Sequence, residues 1–204
     1  MTSPASQLLD WGWAGAPLEG PESGDLHVVV SHAHGALVAV IDALGHGPDA
    51  AAVAREVSAL LCAAPTLPLD DLVRHCHEGL RTTRGAVMSV ALFDPQRATV
   101  DWCGVGNVEG VLFRADSTRS RPREALSTRG GVIGYRLPPL KVARVPIARG
   151  DVLVLATDGI DVDFPNAVDV MRGGQEIADG ILARYAKTTD DALVLAARYL
   201  GGSP

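Results

Sequence analysis

The chain has 204 residues, 47% of them apolar and 21% charged, with a formal net charge of −6 and a pI near 5.4. This size fits one domain, 1–204, with a sizeable core, and the acidic balance argues against a nucleic-acid binder, which normally carries a basic face. No stretch of about 18 apolar residues is free of charge, Gly and Pro, so no membrane span is expected, and the first residues lack the basic-then-apolar pattern of a secretion signal.

Residues 24–31 and 35–42 read as apolar strands, with a hairpin turn at His32-Ala33-His34-Gly35. Residues 48–64 read as a helix. Pro48 stands near its start, where a missing N–H costs nothing, and Ala51, Ala52, Val53, Val57, Leu60 and Leu61 supply an apolar face. Residues 69–81 form a second predicted helix. Strand signals follow at 86–93, 98–103 and 108–114, expected as a meander with a turn at Asp94-Pro95-Gln96. Residues 141–147 and 151–156 predict another hairpin, turned by Arg149-Gly150. A helix at 175–186 and a strand at 192–198 complete the series. Strands joined by short turns, with helices in blocks, predict an α+β fold with largely antiparallel sheets.

Cys62, Cys76 and Cys103 form no C-x-x-C pair, and their odd number suggests no disulfide framework. Buried small hydrophobes in a reducing cytoplasm are expected.

The chemical signal lies in where the acids stand. Asp42 ends an apolar strand and enters the Gly-rich run Ala43-Leu44-Gly45-His46-Gly47, and Asp158 follows Val152-Leu153-Val154-Leu155 in the same way. Asp25 opens a strand, and Asp190 and Asp191 precede the last one. A carboxylate bordering a buried strand costs several kcal/mol unless it is paired or binds a cation. A hard divalent cation such as Mg²⁺ or Mn²⁺ is one solution. Capping of a turn or helix by each Asp is the other.

The ordered motifs Ile41-Asp42-Ala43-Leu44-Gly45-His46-Gly47, Gly104-Val105-Gly106-Asn107, Thr157-Asp158-Gly159-Ile160 and Asp190-Asp191-Ala192 resemble the metal-dependent protein phosphatase (PPM, type 2C) family, in its bacterial SpoIIE-like branch. The resemblance spans about residues 24–198. It implies an α-β-β-α sandwich of two mainly antiparallel sheets flanked by helices, with two divalent cations, Mn²⁺ or Mg²⁺, between the sheets. On that resemblance Asp42 and Asp158 are the catalytic acids and also metal ligands. Ala43 supplies a backbone carbonyl where the family has Gly. Asp190 is the last ligand, with Asp191 as its substitute, and Asp25 reaches a metal through water. A metal-activated water would attack phosphorus in line, without a covalent nucleophile. The implied partner is a cytoplasmic phosphoprotein, an anti-sigma-factor antagonist or stressosome scaffold of the STAS type.

Two departures stand out. Ala43 would be strained if its backbone had to be left-handed, and Leu44 occupies the place where many eukaryotic members carry a His. Ala43 is the feature that favours the rival reading, a weak or inactive phosphatase fold that only binds a partner.

Other motifs point elsewhere less well. Gly104 to Gly110 superficially resembles a dinucleotide-binding loop but leads into strand-like sequence, so a tight hairpin turn near the metal site is expected instead. His32 with His34, and His75 with His77, have zinc-ligand chemistry, but i, i+2 spacing sends a helical pair to different sides. Gly45-His46-Gly47 precedes a helix, where phosphate can bind, but no P-loop Lys follows. Arg114, Arg119, Arg121, Arg123 and Arg129 form a basic stretch, read as a solvated loop or as a dock for an acidic phosphoprotein surface. Gly130-Gly131 beyond it is expected at an edge of the site.

Overall fold

The structure is a computed structural model, and it describes residues 8–116 and 122–201. Ten strands form two five-stranded antiparallel sheets. The first contains, in spatial order, β1 (Leu9–Ala16), β10 (Ala192–Tyr199), β9 (Val152–Ala156), β6 (Glu109–Phe113) and β7 (Arg123–Leu126). The second contains β2 (Asp25–His32), β3 (Gly35–Ala43), β4 (Ala86–Asp94), β5 (Thr99–Val105) and β8 (Ala143–Pro146). Helices α1 (Gly47–Ala63) and α2 (Leu69–Gly79) cover the outer face of the second sheet, and α3 (Gly174–Tyr185) covers the first. This is the α-β-β-α sandwich expected from the motifs.

The layering explains why the central strands read as unbroken apolar runs. A strand covered on both faces has no solvated side. Along β3, Leu37, Ala39, Ile41 and Ala43 pack under the helices, while Ala36, Val38 and Val40 face the other sheet. Along β10, Val194 and Ala196 meet the α3 layer, while Leu193, Leu195 and Ala197 enter the space between the sheets.

Two connections differ from expectation. Strands β4 and β5 do form a hairpin, but β6 leaves for the other sheet, where it pairs with β7 and β9. There is no three-stranded meander, and residues 104–110 are a crossover, not a tight hairpin. The crossing is held by Ser89 Oγ donating to the Val108 carbonyl (2.6 Å). Gly106 makes it possible: its φ is +98°, and a Cβ there would lie 2.2 Å from Val87. The turn at residues 148–151 exists, with Asp151 N–H donating to the Ala148 carbonyl (3.0 Å). It too joins different sheets, since β8 pairs with β5 and β9 with β10 and β6.

Cys76 and Cys103 are buried as expected, but Cys62 is exposed, because it lies off the apolar stripe of α1. Arg114 is not part of a solvated loop. It is buried and paired with Asp151 (2.9 Å) and Glu124 (3.1 Å), and it donates to the Pro146 carbonyl (2.7 Å). Arg119 and Arg121 lie outside the described residues. His77 accepts a hydrogen bond from Gly134 N–H (2.9 Å) and so works as a structural contact of α2. Among the described residues, no helix is long and apolar enough to cross a membrane.

Candidate metal centre

The end of β3, the end of β9 and the start of β10 reach the same edge of the sandwich. They carry Asp42, Asp158 and Asp190 into one cleft of about 670 Å³. Its wall also includes His46, Asn107 and the Gly130-Gly131 pair, which does sit at an edge of the site. No Lys or Arg is among the described residues lining it.

Asp25 stands behind this cleft. It is directly opposite Asp42 in the β2–β3 ladder, so both side chains share a face of the sheet. It is buried, and Thr157 Oγ1 donates to its carboxylate (2.7 Å). Burial and, after it, repulsion from Asp42 push the Asp25 carboxyl up to about 8, despite the Thr157 hydrogen bond. Burial and then repulsion from Asp158 push Asp42 up to about 7, with Asp190 and Asp191 adding to it. Both groups are acids held where a second negative charge is unwelcome and a cation is welcome.

The adjacent pair at 190–191 divides its work. Asp191 is buried, and its carboxylate accepts N–H bonds from Leu18 (2.6 Å) and Gly24 (2.7 Å), tying down the segment before β2. Asp190 is exposed in the cleft, where among the described residues its carboxylate accepts the Asp191 N–H alone (2.9 Å), so it keeps an oxygen free for a cation. Gly159 lets the two acid-bearing loops touch, since a Cβ there would fall 1.9 Å from the Asp191 carbonyl oxygen.

Four contacts around the acids carried no sequence expectation. Asn107 Nδ2 donates to Asp158 Oδ2 (2.6 Å), fixing that carboxylate from the β5–β6 crossover. Lys187 Nζ donates to the Asp158 carbonyl (2.7 Å), and Lys187 N–H to the Gly159 carbonyl (2.7 Å). The Gly104 to Asn107 motif was a signal for the first. A surface Lys 29 positions from Asp158 offers none for the second. Thr157, seen only as part of its motif, proves to be the bridge from β9 to Asp25.

Ala43 lies in β3 with its N–H on the Gly24 carbonyl (3.0 Å), and Ala98 is the one non-Gly residue with positive φ among the described residues. Alanine is therefore unstrained at position 43. Leu44 is 41% exposed beside the cleft and has no proton to give. His46 lines the cleft, while His32, His34, His75 and His77 do not.

The donor set fits Mg²⁺ or Mn²⁺: hard carboxylate oxygens, partly exposed, with no thiolate beside them. Among the described residues no three His, Cys, Asp or Glu side chains are drawn together closely enough to hold a metal ion. The arrangement is an open acidic cleft, not a buried structural site.

Comparison with known proteins supports the same architecture. The pattern of the Stage II sporulation protein E (SpoIIE) family matches residues 32–200. The phosphoserine phosphatase RsbX of Bacillus subtilis (strain 168) is 21% identical over 159 residues, covering 77% of each chain. A chain solved in work on the bacterial stressosome as a modular system adapted to control secondary messenger signalling is 27% identical, with a TM-score of 0.84 over 94% of this chain and all of that one. RsbX in complex with magnesium has a TM-score of 0.81 at 19% identity, over 94% of this chain and 95% of that one.

Proposed function

The chain belongs to the SpoIIE family, and on that premise we propose that it is a metal-dependent protein serine/threonine phosphatase whose chemistry takes place in the cleft of Asp42, Asp158 and Asp190. The observation that carries this reading is the convergence of three carboxylates from three separate segments on one cleft lined by no Lys or Arg among the described residues. Such a cluster repels itself, and a divalent cation relieves the repulsion.

In our reading Asp42, Asp158 and Asp190 would hold two divalent cations, Mn²⁺ or Mg²⁺, with Asp25 as a supporting acid behind them. Ala43 adds its carbonyl, and Asp191 anchors the loop instead of binding metal. Bound cations there supply a Lewis acid for the phosphoryl oxygens and lower the pKa of a coordinated water. Asn107 and Lys187 keep Asp158 and its backbone from turning away. None of the three cysteines lines the cleft, so no thiol of the chain is placed to attack phosphorus.

The substrate we infer is phosphoserine or phosphothreonine on a cytoplasmic STAS-type protein, an anti-sigma antagonist or stressosome scaffold. The likeness to RsbX and to the stressosome chain supports this. The unstrained backbone at Ala43 removes the feature that favoured an inactive fold. The test is hydrolysis of p-nitrophenyl phosphate and of a phosphoserine STAS protein with Mn²⁺, comparing wild type with Asp158→Asn. Metal-dependent turnover lost in the variant supports the proposal. Absence of turnover on both substrates, or turnover that survives chelation, contradicts it.

A further inference from the structure

A second, smaller cavity of about 160 Å³ opens beside the acidic cleft and shares two wall residues with it, Asn107 and Asp158. Its other walls combine the apolar Ala156, Ile160, Val162 and Phe164 with Thr157 and with Lys187, whose Nζ donates to the Asp158 carbonyl. Ile160 and Phe164 are buried, and Val162 is 64% exposed. Glu109, an exposed acid, stands on the same wall. The mechanism above uses none of Ile160, Val162, Phe164 or Glu109.

We infer that this cavity is a specificity subsite that takes an aliphatic side chain lying within two residues of the phosphoserine of a protein substrate. The inference rests on the phosphatase reading of the adjoining cleft. Size sets the ligand: a cavity of about 150 Å³ holds a benzene-sized group, so this one takes one side chain and not a chain segment. Position sets the register. An extended peptide advances about 3.3 Å per residue, and a cavity sharing Asp158 with the cleft lies within a step or two of a phosphoryl group held there. Chemistry sets the class. Val162, Ile160 and Phe164 offer contact to methyl and methylene groups, and an acidic side chain set against them loses its hydration. An exposed large apolar residue such as Val162 beside a cleft is the kind of feature that marks a contact surface.

The experiment is a panel of phosphoserine peptides carrying Leu, Gly or Asp in turn at each of the two positions on either side of the phosphoserine. They are assayed with the Mn²⁺-loaded full chain. The wild type should prefer Leu over Gly at one of these positions by about tenfold or more in kcat/KM, with Asp the poorest. Val162→Glu should reduce that Leu-to-Gly ratio to about threefold or less; the ratio is read within one sample, so loss of folded protein cancels. Hydrolysis of p-nitrophenyl phosphate in parallel tests the phosphatase reading separately. If no peptide is turned over, methyl NMR with Mg²⁺ decides, using non-hydrolysable phosphonate analogues of the Leu and Gly peptides. Shifts at Ile160 and Val162 that are selective for the Leu analogue uphold the subsite. A flat peptide panel, an unchanged ratio in Val162→Glu, or equal or absent methyl shifts overturns it.

Discussion

Strand β9 carries an acid at each end, and the two have opposite fates. Asp151, just before it, is buried and fully served by the chain: Arg114 pairs with it, and the N–H groups of Ala115 (2.9 Å) and Ala148 (3.1 Å) donate to it. Asp158, just after it, receives only a neutral amide from Asn107 and faces other acids across a cleft. The strand between them is the same buried apolar run. A carboxylate supplied with its own cation is part of the scaffold. One left among like charges is poised for a cation from outside.

Substitutions at the two ends should therefore separate activity from stability. The largest effect belongs to the cleft. Asp42→Asn or Asp158→Asn should lower Mn²⁺-dependent turnover by about 10³-fold, or about 4 kcal/mol of barrier, while the melting temperature in chelator is kept or raised. A loss of folded protein in place of a loss of turnover would place these acids with the scaffold. At the other end, Arg114→Met leaves Asp151 buried and unpaired. It should cost about 3 kcal/mol, read as a fall of about 10 °C in melting temperature, with turnover per folded molecule retained.

Asn107→Ala tests the orienting contact. Asp158 would keep its charge but lose its partner, and the Mn²⁺ concentration for half-maximal activity should rise by about tenfold. An unchanged metal requirement would mean that Asn107 only joins the loops. A further test is of pH. In chelator the Asp25 carboxyl, at about 8 in the fold, compares with 3.8 for an ordinary aspartate. The folded state then holds the proton more tightly, so this contribution to stability is complete below about pH 4 and is lost as pH rises toward 8. The melting temperature of wild type minus that of Asp25→Asn should fall from pH 5 to pH 8, and a rise over that window would contradict the assignment.

The parts legible in the sequence were those that depend on local pattern. Buried β3 and β10 announced themselves as apolar runs, Pro48 marked the start of α1, and Asp42 and Asp158 were visible as acids at strand ends. Sheet membership was not legible, because a short apolar strand such as β6 carries no label for its partner, and the crossover turned on Gly106 packing against Val87. β1 drew no expectation, its Trp and Gly residues giving a weak strand pattern. Asp190 and Asp191 are identical neighbours in sequence. Only the fold, by bringing Gly24 N–H to Asp191 across 167 positions, tells the anchor from the candidate ligand. Arg114 looked like one of several solvated arginines until Asp151 was placed beside it.

The central claim is that the acid after β9 belongs to a cation site and the acid before it does not. Calorimetric titration of Mn²⁺ into wild type, Asp158→Asn and Arg114→Met tests this most directly. The account predicts binding to wild type, binding of similar affinity to Arg114→Met at a temperature where it is folded, and binding weakened at least tenfold or lost in Asp158→Asn. No heat of Mn²⁺ binding to wild type, or equal binding to Asp158→Asn, would contradict it.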